Sequence, residues 1–127
     1  LRTPPSERSL GELLWEWGTP TAASIVWAKR RGMNVIGSGG LRNGMDAARA
    51  YALGADIAGM ALPWLKAVYE HGAEHAIAYG ENLIYALRTI LCLTGSASPA
   101  ELADAPRIIH PRLATWLDQD PLVRQPR

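Results

Sequence analysis

A chain of 127 residues lies inside the range of one domain, which permits a small complete domain or a piece of a larger one. Its 48% apolar content is ordinary for a chain that buries a core, and a formal net charge of +1 gives no electrostatic case for nucleic acid or an anionic membrane surface. A lone cysteine, Cys92, forms no internal disulfide, and no apolar run is long enough to span a bilayer, so the expectation is a soluble cytoplasmic protein. Leu1 opens the chain without the basic, apolar and cleavage regions of a signal peptide, and a missing upstream part is expected.

In chain order, Leu1 to Ser9 is polar and holds two prolines, which reads as a loop or ragged end. Thr19-Pro20 reads as a cap followed by proline at the first helical position, starting a helix over Thr21 to Arg31 that Gly32 stops. Met33 to Gly37 is too short for a helix and reads as a buried parallel strand. Asn43 then caps a helix with Asp46 in its first turn, where a carboxylate meets the positive end of the helix dipole, and Gly54 stops it after Leu53. Ile57 to Met60 supplies a second strand, and Pro63 opens a short helical turn. Ala76, Ile77, Leu83, Ile84, Leu87, Ile90 and Leu91 recur at helical spacing, giving a long amphipathic helix with a break near Gly72 and an end at Thr94-Gly95. Ser98-Pro99-Ala100-Glu101 has the form of a capping box before one more short helix, and a last turn lies around Leu113 to Leu117. Helix and strand alternate, as in parallel βα units, but two strands cannot close a sheet.

The chemistry is concentrated at the two strand ends. In GSGGLRNG, the glycines Gly37, Gly39 and Gly40 remove side chains where the backbone turns, leaving outward amides that can bind an anion ahead of a helix. Met60-Ala61-Leu62-Pro63 repeats the arrangement, so two adjacent strands aim amides at one site, for which phosphate is the usual ligand. A tight βα turn without a ligand is the competing reading of the first loop, and a surface ion pair that of Arg42. His71 and His75 lie one helical turn apart but lack further ligands to complete a metal set. His110 reads as a surface or packing residue, and Cys92 as a small core residue. Trp15, Trp17, Trp27, Trp64 and Trp116 lack the interleaved basic residues of a base-stacking surface and read as packing groups. Lys29-Arg30-Arg31 complements a helix C-terminus without need of a partner.

These residues carry a family resemblance. The stretch VIGSGGLRNGMDAARAYALGADIAGMALPWLKA resembles the final two βα units of FMN-dependent (β/α)8 enzymes, a group that includes α-hydroxy-acid oxidases and glutamate synthase. The flanks WGTPTAAS and LRTILCLTGSASPAEL resemble more narrowly the type 2 isopentenyl diphosphate isomerase family. The resemblance implies an α/β fold, the C-terminal portion of a TIM (β/α)8 barrel with strands seven and eight and flanking helices. Residues 1–9 would be a loop remnant, 10–97 the last βα units and 98–127 a C-terminal helical extension.

The same resemblance implies interconversion of isopentenyl and dimethylallyl diphosphate, in isoprenoid biosynthesis, with reduced FMN in proton transfer, Mg2+ on the substrate diphosphate and NADPH reducing the flavin. Gly40, Leu41, Arg42, Ala61 and Leu62 match the family's FMN-binding positions, and Ser38 and Gly39 belong to the same loop. Leu62 departs from the wider group, where arginine is common, so its contact would run through the backbone amide. No catalytic or metal residue is expected here; the N-terminal part of the same barrel would supply them, and the whole would form a homo-oligomer, a tetramer or larger. The alternatives are a related FMN-dependent oxidoreductase and a noncatalytic anion-binding or oligomerisation module.

Overall fold

The computed structural model describes residues 5–120, with side chains from residue 9 onward. Positions 1–4 of the expected loop and 121–127 of the expected extension lie outside the described residues. The elements in chain order are α1 (Pro5–Leu13), α2 (Thr21–Lys29), β1 (Ile36–Gly37), α3 (Gly44–Ala52), β2 (Ile57–Ala58), α4 (Leu62–His71), α5 (Ala73–Thr94), a 3-10 turn (Ala100–Ala103) and α6 (Pro111–Asp118).

The start of the chain differs from its sequence reading, because α1 covers much of the expected loop. Pro5 stands at its first position, where a missing N–H costs nothing. Thr19 does not cap α2. Pro20 holds the flanking position at φ −58° and ψ 138°, and Thr21 turns its hydroxyl to the Gly39 carbonyl at 2.8 Å. The helix ends at Lys29, two residues early, and Gly32 follows at φ +71°.

β1 and β2 pair in parallel with Ile36 opposite Ile57. Side chains alternate between the two faces of a strand, and the two faces here differ. On the helical side, Val35 and Ala55 join Ile25, Leu41 and Ala50 in the core. On the other side Ile36 is 67% and Ile57 55% exposed, so the described residues do not bury both faces as expected. Gly37 is a packing position rather than a turn. A Cβ there would lie 2.9 Å from Ile25 Cδ1 and 3.0 Å from Ala55 Cβ. At the entry to the strands, the Asp56 carboxylate accepts from the Val35 amide at 2.8 Å and pairs with Lys29 at 2.7 Å.

Asn43 caps α3 as expected, its side chain accepting from the Asp46 amide at 3.0 Å, and Leu53 and Gly54 close it. α4 is a ten-residue helix rather than a short turn, with Pro63 in its first turn. Gly72, at φ +82°, separates it from α5, and Gly95 ends α5 in the left-handed conformation. Gly80 does more than weaken the helix. It is buried, and a Cβ there would fall 2.5 Å from Trp64 Cη2, so its bareness lets the indole close onto α5.

The expected capping box holds a single 3-10 turn instead of an α-helix. Glu101 accepts from the Ala97 amide at 2.8 Å and meets the Ser98 hydroxyl at 3.2 Å, while buried Leu102 anchors the turn beside α3. α6 lies against α2, where Trp116 meets Trp27 with ring centroids 6.0 Å apart. His110 has a definite role there, its Nδ1 accepting from the Arg112 amide at 3.3 Å. The basic run has partners after all. Lys29 pairs with Asp56, Arg30 donates to the Leu117 carbonyl at 2.8 Å, and Arg31 pairs with Asp120 at 2.7 Å. Cys92 is exposed, not a core residue.

Candidate phosphate site

The loop after β1 is held in place by its neighbours on three sides. Gly39 and Gly40 adopt φ of +104° and +84°, which side chains with a Cβ rarely accept. The Thr21 hydroxyl fixes the Gly39 carbonyl, and the Leu41 side chain, 7% exposed, sinks into the core. The Asp46 carboxylate accepts from the Arg42 amide at 3.0 Å, which occupies one of the donors expected to face an anion. The amides of Gly39, Gly40 and Leu41 donate to no other described residue. Nothing lies within 4 Å of the position a Gly40 Cβ would take, so the loop is open on that side.

The loop after β2 is built differently. Ala61 takes the position before α4 at φ −112° without a side-chain cap, and Pro63 presets the first turn. The amides of Ala61 and Leu62 also donate to no other described residue.

The two loops meet in two places. Ser38 Cβ lies 3.4 Å from where a Cβ on Gly59 would be, so the bareness of Gly59 lets the first loop settle on the end of β2. Arg42 from the first loop and Leu62 and Pro63 from the second line one hollow of about 270 Å³, shared with Lys66, Glu70, His71, His75 and Tyr79. Gly39, Gly40 and Leu41 line a second hollow of about 180 Å³ between α2 and α3, which shares no lining residue with the first. Among the sequence-predicted residues, the structure therefore joins Arg42 with Leu62 and Ser38 with the end of β2, and sets Gly39, Gly40 and Leu41 in a different hollow. The Arg42 side chain donates to the Leu41 carbonyl at 3.2 Å and makes no ion pair with another described residue.

A group carrying a phosphate fits this arrangement. Bare backbone, unpartnered amides and the Arg42 and Lys66 cations suit a dianion, with Glu70 the one carboxylate lining the shared hollow. The His71 and His75 rings sit 4.6 Å apart, but among the described residues no group of three or more His, Cys, Asp and Glu is placed to hold an ion. No described helix is long and apolar enough to cross a membrane.

Tyr79 was not foreseen from the sequence. From α5 its hydroxyl reaches the Arg42 carbonyl at 2.8 Å and Met60 Sδ at 3.2 Å, while its ring meets Trp64 edge-on at 5.2 Å. Burial pushes the phenol pKa up, opposed by the nearby Arg42 charge, so it remains a donor at neutral pH. Its only sequence signal is its place beside Gly80 in a helical run, which does not reveal a partner 37 residues away.

Residues 20–109 match the family model for FMN-dependent dehydrogenase. The chain is similar to isopentenyl-diphosphate delta-isomerases: 45% identical over 114 residues to that of Methanothermobacter thermautotrophicus, covering 89% of this chain and 32% of the relative. It is 43% identical over 109 residues to that of Sulfurisphaera tokodaii, covering 84% and 29%. The protein of Methanothrix thermoacetophila is 43% identical over 119 residues, covering 94% and 33%. The chain thus spans about a third of the length of the curated relatives it matches. The family model spans most of the chain, including both strands and both loops, so the chain belongs to the FMN-dependent dehydrogenase family, and its likeness within that family is to the isopentenyl-diphosphate delta-isomerases.

Proposed function

We propose that the chain is the C-terminal part of an FMN-binding (β/α)8 barrel, with β1 and β2 as strands seven and eight, and that the full-length protein interconverts isopentenyl and dimethylallyl diphosphate. The observation that carries this reading is the shared hollow of Arg42 and Leu62 beside unpartnered amides at two parallel strand ends. Loops after the last two strands are where barrels of this class commonly bind phosphate.

The amides of Gly39, Gly40, Leu41, Ala61 and Leu62 would hold the FMN phosphate, with Ser38 supporting the first loop and Arg42 adding charge. Leu62 acts through its amide, as its side chain offers no donor. Bound FMN, reduced by NADPH, would supply proton-transfer chemistry at the substrate, and Mg2+ would meet the substrate diphosphate. This chain's part is to anchor and orient the flavin. Substrate, Mg2+ and NADPH would be held mainly by parts outside it.

The open sheet face at Ile36 and Ile57 is where the N-terminal part of the same barrel would pack, and burying it would contribute a favourable apolar term. Exposed Trp15, Trp17 and Ile108 offer surface for assembly into a tetramer or larger homo-oligomer. A cytoplasmic location suits the lone, exposed Cys92.

The test is purification of the full-length protein, release of its flavin by denaturation, and assay with isopentenyl diphosphate, Mg2+ and NADPH. The expected result is FMN in the released fraction and dimethylallyl diphosphate formed only when flavin is present. Turnover of a hydroxy acid with no isomerisation would replace this reading with a flavin oxidase, and absence of flavin binding would replace it with a noncatalytic module.

A further inference from the structure

We infer that Tyr79 is a positioning residue that locks the two phosphate loops to one another, an inference that rests on the cradle described above. The first loop has its own fixings in Thr21 and Asp46, but neither reaches the second. Tyr79 does. Its hydroxyl lies 2.8 Å from the Arg42 carbonyl and 3.2 Å from Sδ of Met60, the residue before Ala61. One proton serves both acceptors, and the carbonyl is the stronger. The Arg42 carbonyl shares its peptide plane with the Asn43 amide, so pinning it fixes the end of the first loop where it enters α3, two planes on from the Leu41 amide.

The ring is itself held. Trp64 of α4 meets it edge-on with centroids 5.2 Å apart, and Trp64 reaches α5 because Gly80 has no side chain in its way. α4 begins at Leu62, so the same contact steadies the helix whose first amides face the site. A chain of contacts thus runs from Gly80 through Trp64 and Tyr79 to both loops. Tyr79 also lines the shared hollow with Arg42 and Leu62, where loss of its hydroxyl would let the two loops part.

The test compares FMN with riboflavin, which has the same ring system and no phosphate, by titration of the full-length apoprotein. Wild type should prefer FMN strongly. Tyr79→Phe removes one neutral hydrogen bond, so FMN affinity should fall by about three- to tenfold while riboflavin affinity is unchanged. Trp64→Phe loosens the ring's support without removing any hydrogen-bonding atom of the loops, and should reduce the FMN preference in the same direction by a smaller factor. Should Tyr79→Phe not fold, the Trp64→Phe ratio decides alone. Equal weakening of both flavins, or a preference unchanged in these variants, would overturn the positioning role and leave the cradle standing. A wild-type protein that does not distinguish the two flavins would instead remove the cradle itself.

Discussion

The two loops of the proposed phosphate site are built from different materials. The loop after β1 relies on backbone shapes that favour glycine, at Gly39 and Gly40, on polar fixings close in sequence at Asn43 and Asp46, and on hydroxyls brought from other helices by Thr21 and Tyr79. The loop after β2 contains no residue at positive φ; Ala61 sits at −112°, Pro63 sets the helix, and the anchoring hydroxyl comes from Tyr79 on the next long helix. The first loop takes its shape chiefly from its own positive-φ glycines and the second has no such residue, so the two should respond differently to substitution.

The largest stability effect expected from that contrast lies at Gly39. A Cβ there would sit 2.9 Å from Thr21 Oγ1 on a backbone at φ +104°. Gly39→Ala should cost about 1–3 kcal/mol through strain and displacement of the Thr21 hydrogen bond. Ala61→Gly, in the second loop, meets no such demand and should cost less than about 1 kcal/mol. Urea unfolding of the full-length variants checks the pair, and equal costs would contradict the contrast.

This contrast also explains what was legible in the sequence. Asn43, Gly54, Gly72, Gly95 and Pro63 act within a few residues of themselves, and each marks the boundary or first turn that its chemistry predicts. The first loop was legible for the same reason, as its glycines announce the turn. Contacts between distant elements left no such mark. Tyr79 reaching Arg42, Gly80 receiving Trp64, and Arg31 pairing with Asp120 depend on how helices pack. The start of the chain misled in the opposite sense, because prolines that suggest a loop also suit the first turn of a helix, as at Pro5 in α1. Cys92 was misjudged because an apolar helical run does not reveal which of its positions are covered.

A smaller effect belongs to the far end of the strands, where Lys29 and Val35 clasp Asp56. The side-chain hydrogen bond from Lys29 first, and the Val35 amide second, hold the Asp56 carboxyl below its ordinary value. A carboxyl lowered in the folded state adds stability above its unfolded value, and that stability is lost as pH falls through the lower folded one. Both partners are about two-fifths exposed, so the effect is modest. Between about pH 5 and pH 2, the wild-type Tm should fall more steeply than that of Asp56→Asn. Parallel profiles would show that the clasp contributes nothing.

The central claim is that the amides at Gly40 and Leu62 face one phosphate, and FMN titration of three full-length variants tests it most directly. Gly40→Ala carries the strain of φ +84° without charge, Gly40→Asp adds a carboxylate where the dianion must sit, and Leu62→Ala keeps its amide. Repulsion between two close charges in a partly dry site is worth several kcal/mol, so Gly40→Asp should weaken FMN binding on the order of a hundredfold or more. The account predicts a much smaller loss for Gly40→Ala and roughly wild-type affinity for Leu62→Ala. Normal FMN affinity in folded Gly40→Asp protein would contradict it.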